Sequence, residues 1–318
     1  VMAITGIGSG LNINDLVGAL VNADAAPKTA QLDRLEKATT TKVSALGQFR
    51  SALSTFQTAL EKLNDPALFE KRSATSSSAE TVSITASSKA AAGNYNVQVF
   101  NLAQTSKVAL AGFDNSTDAL GTGTLTINVG GDSLDIDVPE GSNSLGDIRD
   151  AINKAGKESG LSATIVSDPN GVGGARLVLS SSKSGTDNDI SVAVSADATG
   201  DLGNLAFAPP SGTDASFEPT PADPGDPRAA RVISYSRDAN FAIDGLNLSS
   251  ASNTVEDAID GVTLTLKNAQ SAEALANAET VNLGVSEDRV GVRKSITDFV
   301  DAYNKMLGSV NALTNVTA

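Results

Sequence analysis

No cysteine, histidine or tryptophan occurs anywhere in this 318-residue chain. Without cysteine there is no disulfide, no thiolate nucleophile and no sulfur ligand for a metal. Without histidine, both the Ser-His-Asp arrangement and the side chain best suited to proton transfer near neutral pH are missing. Most common enzyme chemistries are thereby excluded. Aromatic residues make up only 4% of the chain, so the platforms of a carbohydrate cleft are scarce and glycoside hydrolysis by paired carboxylates is not expected.

Positive charge is also in short supply. Lysine and arginine number 23 against 37 acidic residues, a net charge of −14, which argues against a nucleic-acid partner. No stretch reaches the roughly 18 consecutive apolar residues of a membrane span. The N-terminus has no basic region leading into an apolar run, so no classical secretory signal is expected. The length suffices for two or three domains.

What is present is unevenly arranged. Residues 1 to 70 carry 6 basic and 7 acidic side chains, residues 71 to 286 carry 13 and 26, and residues 287 to 318 carry 4 and 4. The acidity lies in the middle, and the same boundaries mark a change of hydrophobic period. From Leu32 onward, Leu35, Thr39, Lys42, Leu46, Phe49, Leu53, Phe56, Leu60 and Leu63 follow at alternating spacings of three and four, a heptad seam weakened by Thr39 and Lys42. As a helix this stretch would be about 48 Å long. Asp65-Pro66 ends it, because a residue before proline is pushed out of the helical region.

The spacing returns at Val292, Ile296, Phe299, Tyr303, Met306, Val310 and Leu313. If the ends of the intervening region lie together, the two helices run antiparallel and share one seam. No glycine cap or proline closes the second helix before Ala318, so the natural polypeptide is expected to continue.

Between the helices the period is two. Leu125, Ile127 and Val129, then Leu134, Ile136 and Val138, flank Gly130-Gly131 as a hairpin. Ser144 caps a short helix through Leu145, Ile148 and Ile152, and strands follow at residues 163–166 and 177–179. A fainter copy of this unit is read at "SNTVED", Ser252 to Asp257, which echoes "SNSLGD" at Ser142 to Asp147. Chance matching of a helix-cap pattern explains that echo equally well. Residues 209–227 hold six of the ten prolines and read as a loop.

At the N-terminus, "TGIGSGLNINDLVGAL" raises the question of a phosphate loop. Only five residues precede Gly6, too few for the strand such a loop requires, the spacing is G-x-G-x-G, and no P-loop lysine follows. A glycine lead-in to a short amphipathic helix explains more: Asn12 caps it, Leu16, Val17, Leu20 and Val21 form a stripe, and Pro27 is expected to stop it. Too short to bury itself, this helix is a docking element in search of a partner. The acidic clusters Asp132, Asp135, Asp137 and Asp187, Asp189 lack the calcium-loop pattern and read as solvated strand faces. No metal or other cofactor is expected.

These residues resemble the flagellar hook-associated protein 2 family, the filament caps. "GIGSGLNINDLVGALVNADAAP" (Gly6 to Pro27) is similar to the family's opening, with Asn12 where Asp is common. "KVSALGQFRSALSTFQTAL" (Lys42 to Leu60) resembles its first coil and "GNYNVQVFNLAQ" (Gly93 to Gln104) its first strand motif. "NFAIDGLNLSSASNTVEDAIDGVTLTL" (Asn240 to Leu266) and "ITDFVDAYNKM" (Ile296 to Met306) resemble the region leading to the second coil and that coil's F-V-x-A-Y-N helix. Residues 106 to 235 match only in general character.

The resemblance implies an α+β multidomain protein: an antiparallel heptad coiled-coil leg built from the two chain ends, with two inserted β-rich domains. The expected boundaries are a flexible docking segment at 1–31, the leg at 32–69 and 287–318, a first β-rich domain at 70–105 and 205–286, and a second at 106–204. It implies a ring of identical subunits, about five or six, at the distal tip of the bacterial flagellum, exported by the flagellar secretion apparatus and met beforehand by an export chaperone. The plate of β domains would retain flagellin while it folds and is inserted, and no enzymatic activity is implied. A cysteine-free chain suits passage through a narrow channel in the unfolded state, and like-charged middle domains suit solubility outside the cell. Assembly contacts are expected from Leu11, Ile13, Leu16, Val17, Leu20 and Val21, and from Leu46, Phe49, Leu53, Phe56, Leu60, Leu63, Ile296, Phe299 and Tyr303, although the coil residues also suit packing within one subunit. A surface adhesin for host glycans and a hook–filament junction protein remain as alternatives, with "GIGSGL" and "FVDAYN" favouring the cap.

Overall fold

The computed structural model describes residues 12–210 and 225–317. In chain order it contains α1 (Ile13–Leu63), α2 (Pro66–Glu70), β1 (Arg72–Ser76), β2 (Val82–Ala86), β3 (Gly93–Asn101), β4 (Thr105–Ala109), β5 (Gly123–Val129), β6 (Asp132–Val138), α3 (Leu145–Ala155), β7 (Leu161–Ser167), β8 (Ala175–Ser184) and β9 (Ile190–Val194). There follow β10 (Arg231–Ser234), β11 (Ala239–Ile243), β12 (Leu246–Ser250), β13 (Thr254–Ile259), β14 (Val262–Leu266), α4 (Ala272–Ala276), β15 (Val281–Glu287) and α5 (Arg289–Thr317). The chain ends, up to Lys71 and from Glu287, form one unit, and Arg72–Ser286 form the other.

In the helical unit, the Asn12 side chain accepts from the Asn14 N–H at 3.2 Å and its amide donates to Asp15 at 2.6 Å, which fixes the start of α1. The expected stop at Pro27 does not occur, since α1 runs through it for 51 residues. Proline removes one backbone donor and crowds the preceding turn. Here that turn is solvent-exposed and flanked by alanines, so the freed carbonyl is not shut away from solvent and helix propensity on both sides carries the helix past the defect. Asn64 closes α1 through its N–H to the Leu60 carbonyl (2.9 Å), and the Asp65 carboxylate caps α2 at the Ala67 N–H (3.0 Å) with Pro66 in the first turn. The Asp288 N–H bonds the Lys71 carbonyl at 3.1 Å, so α5 starts beside the end of α2 and runs back along α1.

The seam differs from the expected one in a regular way. In α1 the buried positions are Ala45, Ala52 and Ala59, alternating with half-buried Phe49, Phe56 and Leu63. In α5 Ala302 is buried, and Val292, Ser295, Phe299, Met306, Ser309 and Leu313 are half-buried. Leu46 and Leu60, and Ile296 and Tyr303, are therefore displaced from the expected seam by one residue, to Ala45, Ala59, Ser295 and Ala302, whereas Leu53 and Val310 stay half-buried beside Ala52 and Ser309. Alternating large and small residues let two helices interdigitate at close range, whereas a large residue at every seam position would hold them apart. Leu32 and Leu35 stay exposed, because the described part of the 29-residue α5 is too short to reach them.

The second unit holds two hydrophobic cores. One lies between the sheet β1-β15-β3-β11-β12 and the sheet β13-β14-β2, with Val97, Val99, Phe241, Leu264 and Leu283 at its centre. The other lies among α3, the sheet β10-β4-β8-β7 and the sheet β6-β5-β9, with Leu125, Ile127, Ile148, Ile152, Leu177 and Leu179 fully buried. The β5–β6 hairpin turns through Gly130 at φ 60°, which favours glycine. Ser144 and Asp147 form a reciprocal capping box on α3. The Ser144 hydroxyl and backbone N–H both donate to the Asp147 carboxylate and hold its pKa below the usual carboxylate range.

In this unit the echo left open between a second copy and chance falls to chance, and one expected boundary shifts. Residues 252–257 do not repeat the helix cap: they lead into β13, where Val255 is buried opposite Leu264. Asn253 instead ties this segment to Ala103, accepting from the Ala103 N–H at 2.7 Å and donating to the Ala103 carbonyl at 2.9 Å. The boundary expected at 204 also moves, because Leu205, Phe207 and Val232 belong to the core around α3 and β10 pairs with β4. Of the proline-rich stretch, residues 211–224 lie outside the described residues, as do the glycines before Asn12.

Candidate assembly surface of the helical unit

A heptad pair of antiparallel helices has two flanks, one on each side of the seam. On one flank Thr55 and Lys62 of α1 face Asp298 and Lys305 of α5 across a shallow cavity of about 510 Å³, and Lys294 pairs with Asp298 at 2.8 Å. Asp301 joins these charges, and Ala59 and Ala302 form the apolar floor of the cavity. The opposite flank carries Leu46, Leu53 and Leu60 from α1 and Ile296, Tyr303 and Val310 from α5. Leu46 is 56% exposed, Leu60 45%, Ile296 46% and Tyr303 42%. Tyr303 leans toward the seam, its ring centroid 6.0 Å from that of Phe56, so the two rows adjoin. The next row outward adds Val43, Val300 and Leu307 with Arg50 and Arg293, and at the start of α5 Glu287, Asp288 and Arg289 line a cavity together with Arg293 and Ile296. The pair thus exposes large apolar side chains at Leu46, Leu60, Ile296 and Tyr303 on one flank and charged ones at Lys62, Asp298, Asp301 and Lys305 on the other.

A second apolar surface lies on the overhanging half of α1. Ile13, Leu16, Val17, Leu20 and Val21 are between 52% and 64% exposed, on one face at helical spacing. Leu11 lies outside the described residues. The expected assembly residues therefore fall into three sets: the terminal stripe, the flank beside the seam (exposed Leu46, Leu60, Ile296 and Tyr303, with half-buried Leu53), and the seam proper (Phe49, Phe56, Leu63, Phe299). Seam residues Ala45, Ala52, Ala59, Ser295 and Ala302 escaped the sequence reading. The signal was present, since they share the same alternation one residue earlier, but large apolar residues outrank alanine and serine in any hydrophobicity pattern.

Among the described residues no cluster of acidic side chains is arranged to hold a metal ion, and no helix is long and apolar enough to cross a membrane. Asp135 and Asp137 accept from the Thr126 and Thr124 hydroxyls across the hairpin, and Asp132 pairs with Lys183.

Mixed helix and sheet, with the two chain ends paired and a β region inserted between them, is also the class of architecture found among solved relatives. The chain is 30% identical to the flagellar cap protein FliD D1-D2-D3 domains from Escherichia coli, with a TM-score of 0.65 over 85% of this chain and 70% of that one. It is 38% identical to FliD (HAP2) from Pseudomonas aeruginosa PAO1, with a TM-score of 0.62 over 74% of this chain and 96% of that one. Residues 9–106 match the flagellar hook-associated protein 2 N-terminus, residues 236–318 its C-terminus, and residues 124–183 the flagellin hook IN motif, which here is the β5-β6-α3-β7-β8 unit. The B-type flagellar hook-associated protein 2 of P. aeruginosa is 43% identical over 317 residues, 98% of this chain and 63% of that protein. This chain belongs to the flagellar hook-associated protein 2 family. It spans just under two thirds of the length of the first curated relatives, 63% and 64%.

Proposed function

We propose that this chain is a structural subunit of the cap at the distal tip of the bacterial flagellar filament, outside the cell. Several copies form a closed ring there, the β-rich region makes a plate over the export channel, and flagellin is retained beneath it while it folds and is inserted. The helix pair, as an antiparallel coiled coil built from 32–69 and 287–318, is the leg. The region around the first sheet pair and the inserted region around α3 are separate β-rich domains. The chain reaches the tip through the flagellar secretion apparatus, held beforehand by an export chaperone, and performs no catalysis.

The observation that carries this reading is the terminal stripe Ile13–Val21 on an α1 that overhangs its partner helix, in a chain of the filament-cap family. A helix with an exposed apolar face is stabilised by what it docks on. The adhesin and junction readings gain no support from the relatives; the solved E. coli structures carry the name flagellar cap protein.

The test is immunogold electron microscopy of intact flagellated cells with antibody against the β-rich region. Gold confined to free filament ends is expected. Gold at the hook junction, or scattered over the cell surface, overturns the reading.

A further inference from the structure

We propose that strand β12 is a pairing edge for β12 of a second copy of this chain, the two joining antiparallel about a two-fold axis. The inference goes beyond the ring of the proposed function: neighbours in a closed ring meet through different surfaces, whereas a two-fold contact joins two copies, or two rings, through the same one.

A strand at the edge of a sheet offers a row of unpaired N–H and C=O groups, and proteins blunt such edges with charge, bulges or cover. Among the described residues four sheets present eight edge strands, and seven are blunted in one of these ways. β1 and β2 lie against one another, with the Ser76 hydroxyl donating to the Val82 carbonyl at 2.7 Å. β13 and β10 break register, between Glu256 and Ile259 and between Val232 and Ser234. α3 packs on β7, where the Asn153 amide donates to the Ala163 carbonyl and accepts from its N–H, both at 2.8 Å. β6 carries Asp132, Asp135 and Asp137, and β9 is bridged by Phe207.

β12 has none of these protections. It reads Leu-Asn-Leu-Ser-Ser, and residues 245–255 hold no charge in a chain of net charge −14. A two-residue turn with positive φ at Asp244 and Gly245 (47° and 81°) joins it to β11. The Asp244 N–H reaches the Asn96 carbonyl of β3 at 2.8 Å, so by alternation Ala242 bonds β3, while Ile243 and Phe241 bond Leu246 and Leu248. The N–H and C=O of Asn247 and Ser249 therefore point out of the sheet. Leu246 and Leu248 stand opposite Ile243 and Phe241 on the core face, yet are 70% and 37% exposed, because a three-stranded sheet does not cover one of five strands.

A second β12 satisfies both the backbone and the leucines. With Leu248 opposite Leu248, Asn247 of each copy exchanges backbone hydrogen bonds with Ser249 of the other, and the leucines of both copies share one apolar face. No like charges meet, since neither edge has any. Five residues a side cover less than the about 1,200 Å² of a stable interface, so the contact is weak between free chains and gains where copies are gathered in a ring.

The absence of native cysteine makes the experiment direct. Leu248→Cys places two thiols at a directly opposed pair, where Cβ atoms lie about 4.5–5.5 Å apart. Val166→Cys, at a position 53% exposed in β7, is the reference. Under mild oxidation a disulfide-linked dimer is expected to form faster from Leu248→Cys than from Val166→Cys. Adding Ser249→Pro removes an outward donor while leaving the β11–β12 bonds in place, and is expected to abolish the difference. Leu246→Lys, which sets a charge on the edge without touching the backbone, is expected to act the same way, and the melting temperature of each variant establishes that the sheet is intact. Equal rates for the two cysteine chains would overturn the proposal and leave the edge to an extended segment of a different protein. A fast dimer that persists with both the proline and the lysine would also overturn it, assigning the disulfide to a contact that does not use the edge. Either result leaves a cap location seen by immunogold standing.

Discussion

The rings of Phe56 and Phe299 meet with centroids 5.4 Å apart and planes tilted by 40°, tying the last turns of α1 to the first turns of α5. Such tilted pairs add about 0.5–1.5 kcal/mol beyond the area they bury. A fully buried Phe→Ala change costs about 3–5 kcal/mol. Both rings are half-buried, so Phe56→Ala is expected to weaken the helical unit by about 2 kcal/mol. Urea unfolding followed at 222 nm measures this, because α1 and α5 supply most of the helix in the chain.

The displaced seam separates two substitutions that a hydrophobicity pattern would rank the other way round. Ala52 is 2% exposed, so Ala52→Leu adds apolar surface yet is expected to destabilise the pair by about 1–3 kcal/mol through overpacking. Leu60→Ser removes a leucine yet is expected to change stability by less than about 0.5 kcal/mol in the isolated chain. Equal midpoints for the two variants in the same unfolding assay would contradict the seam described above.

The capping box on α3 predicts both a mutational and a pH effect. Ser144→Ala is expected to cost about 1 kcal/mol, read as faster amide exchange along α3. The Asp147 pKa is lowered in the folded chain, so its contribution is fully present above the ordinary carboxylate pKa and is lost as pH falls through the depressed folded value. Protection of the α3 amides should therefore decline at acid pH in the native chain, and this component should be missing from Asp147→Asn.

Asn253 holds Ala103 through a donor and an acceptor at once. Asn253→Ala leaves both backbone groups of Ala103 without their side-chain partner and is expected to cost about 1–3 kcal/mol, seen as a lower melting temperature of the sheet unit. Asn253→Asp keeps the acceptor alone and is expected to fall between the two.

The terminal stripe gives the functional prediction. Leu16→Asp combined with Leu20→Asp is expected to abolish filament growth in cells whose only copy is the variant, while the β-rich region still folds. Since both side chains are more than half exposed, folding cost is small. Unchanged filament length in electron micrographs would remove this helix from the mechanism.

Sequence by itself determined the elements whose pattern is local. The alternation around Gly130-Gly131, the Ser144 cap with Asp147 three residues on, and the heptad spacing of Phe49, Phe56, Leu63, Phe299 and Met306 each depend on side chains a few residues apart, and each stands where the pattern put it. The missing histidine and cysteine likewise excluded imidazole and thiolate chemistry before any fold was known. Tertiary structure decided what depends on distant partners. Whether "SNTVED" starts a helix turned on Ala103 taking the Asn253 amide and on Leu264 pairing with Val255. That Val232 joins the core around α3 turned on β4 lying free to pair with β10. Which of two adjacent rows, alanines or leucines, faces the other helix turned on how closely α1 and α5 approach. A single helix shows both rows alike, and only the packing of two selects the small residues for the seam and leaves the large ones along its edge.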